Sequence, residues 1–154
     1  MGGAKGRMTK KTREFMTGMA IGLFITLLFA VKVMAADITP EEAELIARTV
    51  QAEAGNQNFE GRRLVAATIL NRKESPDFPD EVEEILSQKN QFTTYGKLDK
   101  TEATWQDRLA VKMETESRIN DEVIFFRTGH YGCGEPLFQH QDHYFSGLAD
   151  DDKK

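Results

Sequence analysis

Apolar side chains recur at Ala43, Ile46, Ala47, Val50 and Ala54, the spacing of one helix face. Thr39-Pro40-Glu41-Glu42 ahead of them reads as a helix start, with Thr39 as N-cap, Pro40 in the first turn and Glu42 closing a capping box. The pattern predicts a helix from Pro40 to about Ala54, with Gly55-Asn56 as its C-cap signal. A second helix is predicted over about Phe59 to Arg72. Its run Leu64-Val65-Ala66-Ala67-Thr68-Ile69-Leu70 is apolar almost all round, the mark of a buried helix. Two prolines punctuate Ser75-Pro76-Asp77-Phe78-Pro79 and break the helical pattern.

Downstream the signals are shorter. Asp80 to Ser87 predicts a third helix with Val82, Ile85 and Leu86 inward. Gln88 to Lys100 is polar and reads as a loop carrying Phe92 and Tyr95. A fourth helix is expected from Glu102 to Ile119, capped by Thr101, with Trp105, Leu109 and Met113 as its core stripe. Val123-Ile124-Phe125-Phe126 is a buried-strand pattern, and Thr128 to Pro136 a glycine-rich loop. His143-Tyr144-Phe145-Ser146 is expected to pair with the first strand. The fold class is therefore α+β, mainly helical with a small antiparallel sheet.

The first 35 residues stand apart. Lys5, Arg7, Lys10, Lys11 and Arg13 precede an uncharged stretch, residues 15–31, and Val33-Met34-Ala35 follows. This reads as a secretory signal peptide cut after Ala35, or, left uncut, as an N-terminal membrane anchor through residues 15–31. Either way the domain, residues 38–148, faces outward, with 149–154 a solvated tail. The leader holds six of the 20 Lys and Arg and one of the 25 acids, which leaves 14 against 24 and a net charge of −10. Such a domain is a poor partner for nucleic acid. A single cysteine, Cys133, excludes an internal disulfide.

One acid is inconveniently placed. Glu53 sits at the edge of the first helix's apolar face, at its end, beside a buried second helix. Partial desolvation there disfavours the charged form, and a carboxyl that keeps its proton near neutral pH can act as a general acid. Glu60 is a possible second carboxylate, although the Gly55 break puts it on another helix and its charge also suits that helix's first turn. All three histidines and the cysteine fall between His130 and His143, and His130, Cys133, His140 and His143 are ligand types that suit zinc. No zinc-protease carboxylate motif accompanies them, and no cofactor or metal is expected.

Ala52-Glu53-Ala54-Gly55-Asn56, Phe59-Glu60-Gly61 and Ala66-Ala67-Thr68-Ile69-Leu70-Asn71-Arg72 resemble the spore-cortex-lytic type of bacterial cell wall hydrolase. Ser75–Pro79, Asn90-Gln91-Phe92-Thr93, Val123–Phe126 and Asp142-His143-Tyr144-Phe145-Ser146 are similar to that family's later blocks, in the same order. The resemblance implies a lysozyme-like domain that cuts peptidoglycan glycan strands, with Glu53 as general acid. Gln91, Thr93, Tyr95, His143 and Tyr144 become candidates for gripping the sugars. Many members have Glu-Ala-Arg-Gly-Glu where this chain has Glu53-Ala54-Gly55-Asn56-Gln57, so position 57 offers no second acid. A lone acid favours lytic transglycosylation over hydrolysis, and a monomer with peptidoglycan as its partner is expected. The competing readings are a zinc-dependent peptidoglycan amidase or peptidase, and a non-catalytic wall-binding module.

Overall fold

The computed structural model describes residues 37–149 except Asn90 and Thr93. The leader or anchor, Thr93 and the tail from 150 onward lie outside the described residues. Helix α1, Pro40–Ala54, starts as its sequence dictates: the Thr39 side chain accepts from the Glu42 amide and the Glu42 carboxylate accepts from the Thr39 amide. Its end departs from expectation. Gly55 has φ −60°, right-handed, so it supplies no left-handed cap. Its missing Cβ matters for space, because one there would collide with the carbonyl oxygen and side chain of Gln51.

Helix α2, Phe59–Glu74, is the centre of the domain. Asn58 caps it, accepting from the Gly61 amide at 2.9 Å. Val65, Ala66, Ile69 and Leu70 pack with α1 and with α3, Val82–Ser87, in the main core. Leu64 and Ala67, on another side, pack with Val123 and Phe145 against the sheet. The all-round apolar run is thus explained by two neighbours on two sides. Arg62, Asn71 and Arg72 are also buried on this helix, which the apolar pattern did not foretell.

Further on, the polar stretch expected to be loop holds a 3-10 helix, Tyr95–Lys100, whose Leu98 enters the core. Helix α4 runs Trp105–Glu116 and is capped by Thr104, not Thr101. The expected Trp105-Leu109-Met113 stripe does not face the core: Trp105 is 71% exposed, and Leu109 is exposed too. The inward side carries Asp107, Ala110, Val111 and Glu114 instead. On that side Asp107 and Glu114 make ion pairs to Arg62 and Arg63 of α2, and a carboxylate turned inward is found where it has such a partner.

The sheet has three antiparallel strands in the order β1-β3-β2. Strand β1 is Phe125–Thr128, two residues later than expected; β2, Glu135–His140, lies in and beyond what reads as loop; β3 is His143–Gly147. Phe126 pairs with Phe145 and Thr128 with His143, and the predicted pairing of the first and last strands holds. Strand β2 has three exposed and three half-buried residues, with Pro136 near its start and no alternating apolar pattern.

Candidate functional site

Glu53 occupies the last turn of α1, half-buried. The Thr94 hydroxyl donates to its Oε1 at 2.5 Å, joining the α1 end to the loop that follows α3. Thr94 was not singled out by sequence; it lies one residue past the Gln91-Phe92-Thr93 block. Phe92, in the same loop, is buried, and its ring centroid lies 5.9 Å from that of Phe126 on β1. The Phe126 ring lies 4.9 Å from the imidazole of His143 on β3. Loop, sheet and the acid's helix end therefore converge through a short chain of aromatic contacts.

His143 is 3% exposed, and Nδ1 has no hydrogen-bond partner. Burial pushes its pKa below the ordinary histidine value; Asp142 opposes that shift and His140 reinforces it. A neutral imidazole is the result near pH 7. Gln91 is held differently. Its Oε1 accepts from Arg72 Nη2 at 2.8 Å, which leaves its Nε2 as a donor. Tyr95 donates to Glu83 on α3 at 3.1 Å, and burial with that contact raises the phenol's pKa. Tyr144 sits on the other face of β3, edge-on to Tyr131 at 5.1 Å between centroids. Thr93 lies outside the described residues. The structure thus joins the loop of Phe92 and Thr94 to Glu53, places His143 against Phe126 on the sheet, ties Tyr95 to α3 and sets Tyr144 on the far face of the sheet.

Glu60 is exposed in the first turn of α2, where its charge faces the helix's positive end. Gln57 is buried, and its side chain closes over Gly61 so tightly that a Cβ there would fall 2.8 Å from Gln57 Oε1. The hairpin between β2 and β3 is pinned to the same helix start. The Asn58 amide donates to Gln141 Oε1 at 2.8 Å, and His140 Nε2 lies 2.8 Å from Asn58 Oδ1.

The four residues considered for zinc do not gather. His130 and Cys133 are exposed in the β1–β2 connection, His140 is engaged by Asn58, and His143 is enclosed by Phe126 and Phe145. Among the described residues no group of three His, Cys, Asp or Glu side chains is placed to hold a metal. Among them, too, no helix is long and apolar enough to cross a membrane.

Comparison with known proteins follows the same lines. The chain is 38% identical over 58 residues to a spore cortex-lytic enzyme of Halalkalibacterium halodurans, a stretch covering 38% of this chain and 18% of that relative. Its fold is similar to the catalytic domain of the Bacillus cereus SleB protein, with TM-score 0.63 and 19% identity over 70% of this chain and 91% of that one. It is equally similar to the catalytic domain of a germination-specific lytic transglycosylase, SleB of Bacillus anthracis, with TM-score 0.61 and 19% identity over 71% and 97%. The Cell Wall Hydrolase family model matches residues 56–145, beginning just past Glu53. That match spans more than half of the chain, so the protein belongs to the Cell Wall Hydrolase family.

Proposed function

We propose that the protein cleaves the glycan strands of peptidoglycan between N-acetylmuramyl and N-acetylglucosaminyl units, as a lytic transglycosylase with Glu53 as its acid and base. The observation that carries this reading is the Thr94 bond to Glu53 Oε1. It fixes the carboxyl's orientation at a half-buried helix end and leaves Oε2 for the substrate. Glu53 gives its proton to the glycosidic oxygen as the bond to the muramyl C1 breaks. Positive charge develops at that carbon, as in other glycosidic cleavages. The muramyl C6 hydroxyl then attacks C1, and the Glu53 carboxylate takes the hydroxyl proton. The products are a 1,6-anhydromuramyl end and a free N-acetylglucosamine 4-hydroxyl, with no water consumed.

A hydrolase would need a second carboxylate to activate water. Neither position considered for it favours that role, since Glu60 is exposed and position 57 carries an amide. Gln91, whose free end is a donor, suits an N-acetyl carbonyl, and neutral His143 suits a sugar hydroxyl. We assign the N-terminal 35 residues to export or anchoring, which places the domain outside the cytoplasmic membrane with its substrate.

Mass spectrometry of fragments released from purified sacculi tests the reading. Anhydromuramyl ends are expected from the parent and no fragments from Glu53→Gln, at unchanged circular dichroism. Reducible ends would replace transglycosylation by hydrolysis, and undiminished release by Glu53→Gln would remove Glu53 from the chemistry.

A further inference from the structure

Arg62 is 7% exposed, and it reaches out of its own helix. Its Nη2 donates to the Gly55 carbonyl at 2.5 Å, and its Nη1 to Gln51 Oε1 at 2.9 Å and to Asp107 Oδ1. Gln51 and Gly55 lie on either side of Glu53 in the last turn of α1 and just beyond it. Carbonyls at a helix C-terminus lack partners within the helix, and this guanidinium supplies one. Asp107 is fully buried, and its other oxygen accepts from the Thr104 amide at 2.7 Å and hydroxyl at 2.6 Å, closing the capping box of α4. One side chain therefore ties α2 to the turn bearing Glu53 and to the start of α4.

We propose that Arg62, oriented by Asp107, is the positioning residue for Glu53, holding the last turn of α1 so that the carboxyl meets the scissile bond. The inference rests on Glu53 being the acid. Neighbouring Arg63 supplies the contrast. Its Nε donates to Glu114 Oε1 at 2.5 Å, and the other Glu114 oxygen accepts from the Ile119 amide at 2.8 Å. That pair joins the same two helices, but the bonds of Arg63 and Glu114 do not reach α1. A purely structural role predicts the same consequences for both pairs; a positioning role separates them.

The experiment measures kcat, KM and thermal midpoint on soluble, peptide-bearing strands of alternating N-acetylglucosamine and N-acetylmuramic acid. The variants are Arg62→Lys, Asp107→Asn, the milder Gln51→Met, and Glu114→Gln as the reference. Lysine cannot reproduce the fork that spans three acceptors. Arg62→Lys and Asp107→Asn are expected to lower kcat by roughly 10- to 100-fold with KM within about twofold, as misplacing a catalytic group does. Gln51→Met, which leaves no buried charge unpaired, lowers kcat by a smaller factor and keeps the measurement available if Arg62→Lys does not fold. Glu114→Gln lowers the midpoint and leaves kcat unchanged. Unaltered kcat in Arg62→Lys or Gln51→Met, or an equal loss in Glu114→Gln at matched midpoint, overturns the inference. Glu53→Gln run alongside separates the two claims, because parental release of fragments by that variant overturns the role of Glu53 itself.

Discussion

The two ends of α2 each bury an arginine, and they solve the same desolvation problem differently. At the N-terminal end, Arg62 has a carboxylate, Asp107, and two neutral acceptors around α1. At the C-terminal end, Arg72 is 2% exposed and makes no ion pair among the described residues. Its guanidinium lies 5.1 to 5.2 Å from the ring centroids of Phe78, Phe92 and Phe125. It donates to the Ile124 carbonyl at 2.7 Å and to Gln91, while Nη1 has no partner. Burial lowers its pKa to about 10, with Cys133 the smaller, opposing influence, so it stays charged at neutral pH. The aromatic faces and carbonyl dipoles replace water for this cation. One end fixes the turn that carries the acid; the other fastens the Pro79 corner, the Gln91 loop and the entry to the sheet to a single point.

The sharpest way to break this contrast is Asp107→Ala. It leaves a buried guanidinium without its counter-charge, and loss of about 3–5 kcal/mol in a urea titration is expected. Arg72→Met removes both bonds and the stacked cation and is expected to cost roughly 2–4 kcal/mol, because it orphans the Ile124 carbonyl. Its kinetic signature should differ as well. KM rises, since Gln91 loses the bond that turns its amide, whereas kcat at temperatures below unfolding changes less.

A smaller effect comes from His143 on β3. Its native pKa lies below the ordinary 6.5, so the unfolded chain takes up a proton that the native protein resists. Stability is therefore full above about pH 6.5 and declines as pH falls below that value towards the native pKa. Urea midpoints at a series of pH values should show this slope in the parent and a flatter one in His143→Gln. The smallest effect is expected at Trp105. Trp105→Ser should change stability by less than about 0.5 kcal/mol, as at an exposed site. A core tryptophan would cost several times that, and such a result in a thermal melt would contradict the outward face of α4.

Most of the helical framework was legible because its signals are local. Thr39 and Glu42 close a capping box within one turn, and the Phe59–Arg72 run buries whatever its neighbours turn out to be. The same local evidence misplaced α4. Thr101 reads as the cap by sequence, whereas Asp107 serves both the Thr104 cap and Arg62 and so sets the start of the helix at Thr104. Strand β2 escaped notice since only Leu137 and Phe138, two adjacent residues, pack against the core, which leaves no alternating apolar pattern along it. Among the site residues, Glu53 stood out by its place on the apolar face, while Thr94 carried no distinguishing pattern.

By itself, then, the sequence determined where the chain turns helical, which helix lies at the centre, and which carboxyl sits at an odd position beside it. Those features need only a few neighbouring residues and a periodicity. Only the tertiary structure decided that Thr94 grips Glu53 across 41 residues, that Arg62 reaches Asp107 across 45, and that Arg72 is enclosed by three rings from separate segments. Such contacts form where packing removes water from distant polar groups, and that removal has no signature in any single stretch of chain.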